Sequence, residues 1–407
     1  MPANTNYPFT ALVGQDEVKD ALILAAVNPR VQGVLLIGPK GTGKTTAVRG
    51  LADLLPVITH SLCPNGCDPA WARTAPDRLC PECRRKLAEG EPIAYTAPQA
   101  VVELPLNATL DDVVGGANAR LSLEQQHLRF DPGILAHAHQ NILYIDEINL
   151  VARDVLDAIL DAAATGYCVV RRGRLAASYP ARFVLIGSMN PEEGFLRPQI
   201  IDRIGLRVYV HGVTDAAERL AVTRRVHAFQ DDPERFAADY APPTLAAAAS
   251  ISTARAALPG VRLSAAAEEI GIRLITRLGI ESQRTEIVLF AAARAYAAID
   301  ERPEVTAADV LTVAPLVVRR RRSSGAEEFL AASRAEEVVI QAAIAALRRR
   351  PRQPRTLARP APAPGGGDGA APNAPAVGAP AAPPAAARAT PARRSRRPAP
   401  VGPATPR

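Results

Sequence analysis

The sequence contains few aromatic residues and few cysteines, and it has no long apolar run. Phe, Trp and Tyr together make up 4% of the 407 residues, and tryptophan occurs once. Because no stretch of 18 consecutive apolar residues occurs, no membrane-spanning helix is predicted. Residues 1–6 contain neither a basic nor an apolar segment, so no signal or transit peptide is predicted. We therefore expect a cytoplasmic protein.

The positive charge of the chain is confined to its end. The formal net charge is +7, and residues 351–407 contain nine arginines and one aspartate, which leaves the first 350 residues nearly neutral. A neutral folded part argues against a nucleic-acid motor such as a helicase or clamp loader, which needs a basic surface. The same segment holds 15 of the 37 prolines, and this composition predicts a disordered tail. Contact of the tail with RNA, membrane or acidic partners stays open.

Buried strands alternate with helices in the first half of the chain. Apolar runs at 31–37, 141–145 and 182–187 predict strands, and helical periodicity predicts helices at 16–27, 46–55 and 154–165. This alternation is typical of an α/β fold with a parallel sheet covered on both faces. Beyond residue 213 the patterns are helical, notably at 265–278, 285–299, 307–320 and 327–350.

A phosphate-binding pattern, G-x-x-x-x-G-K-[ST], lies between a predicted strand and a predicted helix. With the threonine that follows, it comprises Gly38, Pro39, Lys40, Gly41, Thr42, Gly43, Lys44, Thr45 and Thr46. Glycines let successive backbone N–H groups point at phosphate oxygens, and the helix N-terminus adds positive potential. We expect Lys44 to reach the β- and γ-phosphates of ATP and Thr45 to ligate Mg²⁺.

Two carboxylates end the apolar strand that follows about 100 residues later. Asp146 is expected to complete the Mg²⁺ shell, and Glu147 is expected to polarise the attacking water. The third strand ends near Asn190, whose amide could orient that water. Because Asn190 is followed by proline, an ordinary turn is an equally good interpretation from spacing alone.

Several longer blocks resemble subunit I of magnesium chelatase, a ring-forming ATPase of the AAA+ type. They are YPF at 7–9, VGQ at 13–15, FDPGILAHAH at 130–139, GSMNPEEG at 187–194 and LRPQIIDRIG at 196–205. The resemblance extends over about residues 7–322. It implies an AAA+ core at 1–213, with an insert at 61–95, followed by an all-helical lid at 214–325. A C-terminal helix at 326–350 and the disordered tail at 351–407 complete the predicted organisation.

The resemblance also implies roles for further residues. Asn190 matches the sensor-1 position, and Arg203 matches the arginine finger that reaches the γ-phosphate bound by the neighbouring subunit. Arg284 matches the sensor-2 arginine of the lid, although Ser282 stands where the family more often has glycine. Val13 and Gly14 are expected near the adenine.

The activity that this resemblance implies is the insertion of Mg²⁺ into protoporphyrin IX. Subunit I forms hexameric rings that engage a related D subunit, and ATP hydrolysis then drives the large porphyrin-binding H subunit. The complete enzyme is a ligase that forms nitrogen–metal bonds, at the entry to chlorophyll and bacteriochlorophyll biosynthesis in photosynthesis. The D-x-S-x-S motif that marks the D subunit is not found, so the chain resembles subunit I. An alternative is a MoxR-like or cobaltochelatase-like AAA+ ATPase that remodels or matures another protein.

Four of the five cysteines form two close pairs. Cys63 and Cys67 are followed, after 12 intervening residues, by Cys80 and Cys83. Two thiolate pairs on a short loop suit tetrahedral Zn²⁺, and clustering of this kind favours a metal over disulfides in a reducing compartment. An iron–sulfur cluster, redox-active thiols and uncoordinated thiols stay open as alternatives. Cys168 is expected to be an ordinary buried residue.

Overall fold

The structure is a computed structural model that describes residues 5–63, 66–117, 130–172, 175–194, 196–319 and 326–348. The predicted disordered tail at 351–407 lies outside these residues. The strands are β1 (Val34–Ile37), β2 (Val57–Ser61), β3 (Ala94–Pro98), β4 (Val101–Glu103), β5 (Gly116–Ala117), β6 (Phe130–Asp131), β7 (Ile142–Ile145), β8 (Tyr167–Arg172), β9 (Leu175–Pro180), β10 (Val184–Met189), β11 (Leu206–Tyr209), β12 (Arg262–Leu263) and β13 (Glu304–Val305).

The α-helices of the described residues alternate with these strands in the first half of the chain and predominate after Tyr209. They are α1 (Asp16–Val27), α2 (Lys44–Leu51), α3 (Trp71–Thr74), α4 (Pro81–Ala88), α5 (Leu110–Val114), α6 (Ile134–His137), α7 (Arg153–Thr165), α8 (Pro198–Arg203), α9 (Ala216–Asp231), α10 (Pro233–Asp239), α11 (Ala241–Ala257), α12 (Ala265–Arg277), α13 (Gln283–Ile299), α14 (Ala307–Val318) and α15 (Ala326–Arg348).

A five-stranded parallel sheet forms the centre, in the order β11-β1-β10-β7-β4. This confirms the predicted α/β class and the three predicted strands. The third strand begins later than predicted, at Val184, and runs on to Met189. Its C-terminal end extends two residues beyond the predicted one, because Ser188 and Met189 pair with Leu36 and Ile37 of β1.

Alternate side chains of the sheet face two separate cores. Val34 and Leu36 of β1 point to one face, where they pack with α1, α2 and the helices after residue 241. Leu35 and Ile37 point to the other face, where they pack with α5 and α7. Because both faces are covered, β1 and β7 are apolar along their whole length, as is typical of parallel sheets.

Two antiparallel hairpins extend the core. Strands β2 and β3 pair from Val57↔Pro98 to Ser61↔Ala94, and the chain between them carries α3 and α4 with the four cysteines. Strands β8 and β9 form the second hairpin, directly before β10. The predicted insert at 61–95 therefore sits at the end of the β2–β3 hairpin.

The C-terminal helices pack on the α1 side of the sheet. Buried residues of α13 and α14, such as Val288, Leu289 and Val313, join the same core as β1. Helix α14 begins with a capping box, in which Thr306 and Asp309 satisfy each other's backbone N–H groups. The short strands β12 and β13 form a parallel pair within this otherwise helical part. None of the helices that the structure describes combines the length and the apolar content needed to cross a bilayer.

Candidate functional site

The phosphate-binding loop joins β1 to α2, as the pattern predicted. Gly41 and Gly43 have φ angles of 77° and 82°, which other residues adopt only with strain. A Cβ atom at Gly38 would lie 2.1 Å from the carbonyl oxygen of Val210, so this position needs glycine. Lys44 Nζ donates hydrogen bonds to the carbonyl oxygens of Gly38 and Pro39, each at 2.8 Å. Burial lowers the pKa of Lys44, while Asp146 and Glu147 oppose that shift.

A network of hydroxyl groups surrounds Asp146 at the end of β7. Thr45 Oγ1 lies 3.2 Å from Asp146 Oδ2, and the hydroxyl of Tyr144 donates to Asp146 Oδ1 at 3.0 Å. The Tyr144 hydroxyl also lies 3.1 Å from Thr45 Oγ1, and Ser188 Oγ hydrogen-bonds to Asp146. Burial raises the pKa of Asp146, but the hydrogen bonds from Ser188, Tyr144 and Thr45 outweigh it and the pKa falls below its usual value. The ionised carboxylate and the Thr45 hydroxyl are oxygen ligands of the kind that Mg²⁺ prefers.

Glu147 is held at the rim of the same cleft in a left-handed conformation, with φ 48°. Its backbone N–H donates to Ser188 Oγ at 3.1 Å. Lys40 Nζ lies 3.3 Å from Glu147 Oε1 and 2.5 Å from Glu193 Oε1. The sequence predicted Lys40 only as a loop residue, so its pairing with the predicted catalytic carboxylate is an addition from the structure.

Asn190 directly follows β10 and lines the cleft beside the phosphate loop. Its side chain is buried, and its Oδ1 accepts a hydrogen bond from the backbone N–H of Glu192 at 3.3 Å. The predicted turn and the predicted site position are therefore both present. Asn190, Asp146 and Glu147 line a cleft of about 230 Å³ together with Ser188 and the loop residues Lys40, Gly41, Thr42, Gly43, Lys44, Thr45 and Thr46.

A larger and more apolar cavity, of about 1010 Å³, opens beside this cleft. It is bounded by Gly43 and Lys44 of the loop, by Val13, and by Val222 and Phe229 of α9. Gly14 lines a neighbouring cavity of about 510 Å³ that also reaches Gly38 and Pro39. The predicted adenine residues, Val13 and Gly14, thus lie next to the phosphate loop. The contribution of α9 was missed, because its apolar residues lack a clear helical stripe in the sequence.

Arg203 and Arg284 both lie outside the residues that line the phosphate cleft. Arg203 Nη1 donates to Asp161 Oδ1 at 2.7 Å. Arg284 Nη1 lies 3.9 Å from Asp202 Oδ2, and Ser282 Oγ lies 3.2 Å from Asp202 Oδ1. Both arginine side chains remain more than a third exposed. The structure therefore leaves both predicted arginines partly exposed, and it places Arg284 near Asp202, the residue before Arg203.

The four cysteines of the insert converge. The Sγ atoms of Cys63, Cys67, Cys80 and Cys83 all lie within 4.8 Å of one another. Cys168 lies elsewhere, buried in the core on the α7 side of the sheet, as predicted.

Tyr144 and Ser188, the two side chains that hydrogen-bond to Asp146 together with Thr45, were not identified by the sequence analysis. Tyr144 lies two residues before Asp146, so strand alternation places both side chains on one side of the sheet. Ser188 precedes Asn190 by the same interval on β10. Period-two spacing from a predicted site residue is the signal that could have found both.

The fold and the cleft define an ATPase of the AAA+ class, which uses ATP and Mg²⁺. A family model described as the AAA lid domain matches residues 269–342. A solved structure from Cytophaga hutchinsonii, provisionally assigned as an ATPase, has a TM-score of 0.51 at 18% identity over 84% of this chain and 91% of its own, which supports the fold.

Comparison with known sequences narrows the class to one family. A family model described as magnesium chelatase, subunit ChlI, matches residues 117–195. The magnesium-chelatase 38 kDa subunit of Acidiphilium rubrum is 46% identical over 77% of this chain and 90% of its own length. The chloroplastic subunit ChlI-2 of Arabidopsis thaliana is 40% identical over 77% of this chain and 74% of its length. The chain belongs to the magnesium chelatase subunit I family.

Proposed function

We propose that this chain is the ATP-hydrolysing motor of a magnesium chelatase that inserts Mg²⁺ into protoporphyrin IX. The observation that carries the proposal is the 46% identity to a chelatase subunit over 77% of this chain and 90% of that subunit. Because the relatives are named as subunits, the motor needs partners, and we propose a D subunit and a porphyrin-binding H subunit. In this proposal the core at 1–213 holds the nucleotide, and the lid at 214–325 and the helix at 326–350 follow it along the chain.

The residues of the cleft suit the parts of a phosphoryl-transfer site. Bound ATP supplies the reactive γ-phosphate, and Mg²⁺ neutralises the charge on its oxygens. Thr45 and Asp146 would hold the Mg²⁺ ion. Lys44 would exchange its hydrogen bonds with the Gly38 and Pro39 carbonyls for contacts with the phosphates. Glu147 accepts a proton from the attacking water, which Asn190 orients.

Arg203 and Arg284 suit a site that is shared between subunits. Both side chains are more than a third exposed, and neither is among the residues lining the chain's own phosphate cleft. An arginine that reaches the γ-phosphate of the adjacent subunit couples hydrolysis to assembly. We therefore propose a homo-oligomeric ring, with six subunits as in the family.

The remaining proposals concern the cofactors and the cellular compartment. Besides ATP and Mg²⁺, the proposed cofactor is one structural Zn²⁺ at the four cysteines of the insert. A cluster of unpaired thiols suits a reducing compartment, so we propose the cytoplasm. No specific nucleic-acid partner is proposed, because the positive charge lies beyond residue 350.

The test is Mg²⁺ insertion into protoporphyrin IX, followed by fluorescence of the product. The full chain is combined with D and H subunits and ATP, and Lys44→Ala serves as the inactive variant. The matched control is Lys19→Ala, since Lys19 pairs only with exposed Asp16 in the described residues. We expect product from wild type and Lys19→Ala alone. ATP hydrolysis without product, given active D and H subunits, would refute the chelatase and indicate a MoxR-like or cobaltochelatase-like remodelling ATPase.

A further inference from the structure

The cysteine cluster has the dimensions of a site for one metal ion. Cys63 Sγ lies 3.6 Å from Cys80 Sγ, and all four Sγ atoms lie within 4.8 Å of one another. Zinc–sulfur bonds of about 2.3 Å in a tetrahedron place the sulfurs about 3.8 Å apart. A disulfide needs a sulfur–sulfur distance of about 2.05 Å, which the 3.6 Å separation exceeds. An iron–sulfur cluster puts several irons between its thiolates and needs a wider cage than one ion does.

The backbone around the cysteines is arranged to stabilise thiolates. The N–H of Cys80 donates to Cys67 Sγ at 3.2 Å, and the N–H of Cys83 donates to Cys80 Sγ at 3.4 Å. Cys80 is the N-cap of α4, so its sulfur sits at the positive end of that helix. Hydrogen bonds to sulfur favour the charged form that binds metal.

The insert between β2 and β3 cannot fold on apolar contacts alone. Among its described residues, the buried apolar cluster consists of Cys67, Leu79, Cys83 and Ile93, two of which are cysteines of the cluster. Helix α3 buries no residue. A core of this size contributes too little to offset the chain entropy, whereas a structural zinc ion contributes folding free energy directly.

One side of the insert rests on the root of the β8–β9 hairpin. Gly66, between Cys63 and Cys67, has φ 63°, and a Cβ there would lie 2.6 Å from Pro180 Cδ at the end of β9. The backbone N–H of Arg182 donates to His139 Nδ1 at 3.2 Å, and Asp68 of the insert acts electrostatically on the same histidine. From Arg182 the chain enters β10, the strand that ends beside Ser188 and Asn190.

We propose that the four cysteines bind one zinc ion, and that this ion holds residues 62–93 docked against the segment 178–182. The zinc-bound insert would then stabilise the base of the β8–β9 hairpin, where Tyr167 pairs with Pro180. This inference rests on the zinc assignment made with the proposed function, and it is independent of the chelatase activity.

The first arm of the test measures metal in the full chain, purified without chelators. We expect one zinc per chain by elemental analysis, and strong visible absorption of a tetrahedral tetrathiolate after exchange with Co²⁺. Cys83→Ser is expected to lose the zinc, whereas Cys168→Ser, a buried cysteine outside the cluster, is expected to keep it. Iron in place of zinc, or four reactive thiols without metal, would overturn the site.

The second arm measures hydrogen exchange of the wild-type chain before and after zinc is released with an organomercurial. We expect at least tenfold faster exchange in 62–93 and faster exchange in 178–182, with α2 unchanged. Zinc release that leaves 178–182 unchanged would overturn the docking and leave the metal site standing. Because this arm uses wild type, misfolding of Cys83→Ser does not affect it, and ATP hydrolysis measured in parallel reports separately on the motor.

Discussion

Arg207 and Arg319, which are 112 residues apart, each donate a hydrogen bond to the other's backbone carbonyl oxygen, at 3.1 and 2.9 Å. Both side chains are almost completely buried. Arg207 also donates to the carbonyl oxygens of Ile201, Ile204 and Val317. The pair therefore joins the edge strand β11, the end of α8 and the end of α14 into one hydrogen-bonded junction.

Replacing Arg207 by Met should destabilise the fold strongly. The variant keeps much of the apolar volume but leaves four buried carbonyl oxygens without their donor, so we expect a loss of about 3–5 kcal/mol in the free energy of unfolding. Urea denaturation followed by circular dichroism measures the change. The matched control is Arg273→Ala, whose exposed pair with Glu269 is worth less than about 1 kcal/mol. Equal effects of the two variants would contradict the proposed junction.

Tyr144→Phe should weaken the response to Mg²⁺ with little effect on the fold. The variant removes the hydroxyl that donates to Asp146 and lies beside Thr45. The lost hydrogen bond contributes about 1 kcal/mol. We expect the Mg²⁺ concentration for half-maximal ATP hydrolysis to rise about three- to tenfold. Tyr209→Phe is the control, because its hydroxyl bonds Glu336 instead. An unchanged Mg²⁺ titration in Tyr144→Phe would exclude this role.

Arg203→Ala and Glu147→Gln should complement each other when mixed. Each variant alone is expected to lose ATP hydrolysis at least about 100-fold, because one lacks the proposed arginine finger and the other the proposed base. In a randomly mixed ring, about a quarter of the interfaces combine an intact Glu147 with an intact Arg203. We expect about that share of wild-type hydrolysis to return. No recovery in rings shown to be mixed would place Arg203 in its own subunit's site.

His139 should make the fold less stable in acid. Burial and the Arg182 cation lower the pKa of His139 to about 4, with a smaller lowering from His60 and an opposing effect of Asp68. Between the unfolded pKa of about 6.5 and the folded value, the unfolded chain binds a proton that the folded chain does not, so stability falls as pH falls. After allowance for partial exposure we expect about 1 kcal/mol between pH 6.5 and 4.

Unfolding at several pH values checks this prediction. His139→Asn keeps an acceptor for the Arg182 N–H and should show a flatter dependence in this window. Exposed His227→Asn should follow wild type. A wild-type slope that survives in His139→Asn would assign the effect to another group.

Strands with continuous apolar runs could be predicted from the sequence, whereas the edge strands could not. Residues 34–37 and 142–145 lie under helices on both faces and are uniformly apolar. Strand β11 carries Arg207 at its second position. In the sequence alone an arginine favours an exposed segment, because the four carbonyl oxygens that make its burial possible are not visible there. Those partners come from segments up to 112 residues away, which local patterns do not report.

The phosphate site was predictable for a different reason. Its geometry depends on local requirements: glycine at positive φ, a lysine at the helix start and a carboxylate at a strand end. The surroundings of Arg284 were not predictable, because its neighbour Asp202 belongs to a distant helix. Its role came from resemblance to a family, and the structure adds its place beside Asp202.

The β2–β3 hairpin makes the cysteine-bearing segment separable. Ser61 and Ala94 are the last paired residues, so the chain leaves and re-enters the hairpin at neighbouring points. A two-residue turn can close such a ladder without shifting the register of either strand. Recombination at the hairpin could therefore add, remove or exchange this segment, provided that its contacts near Pro180 and His139 are matched.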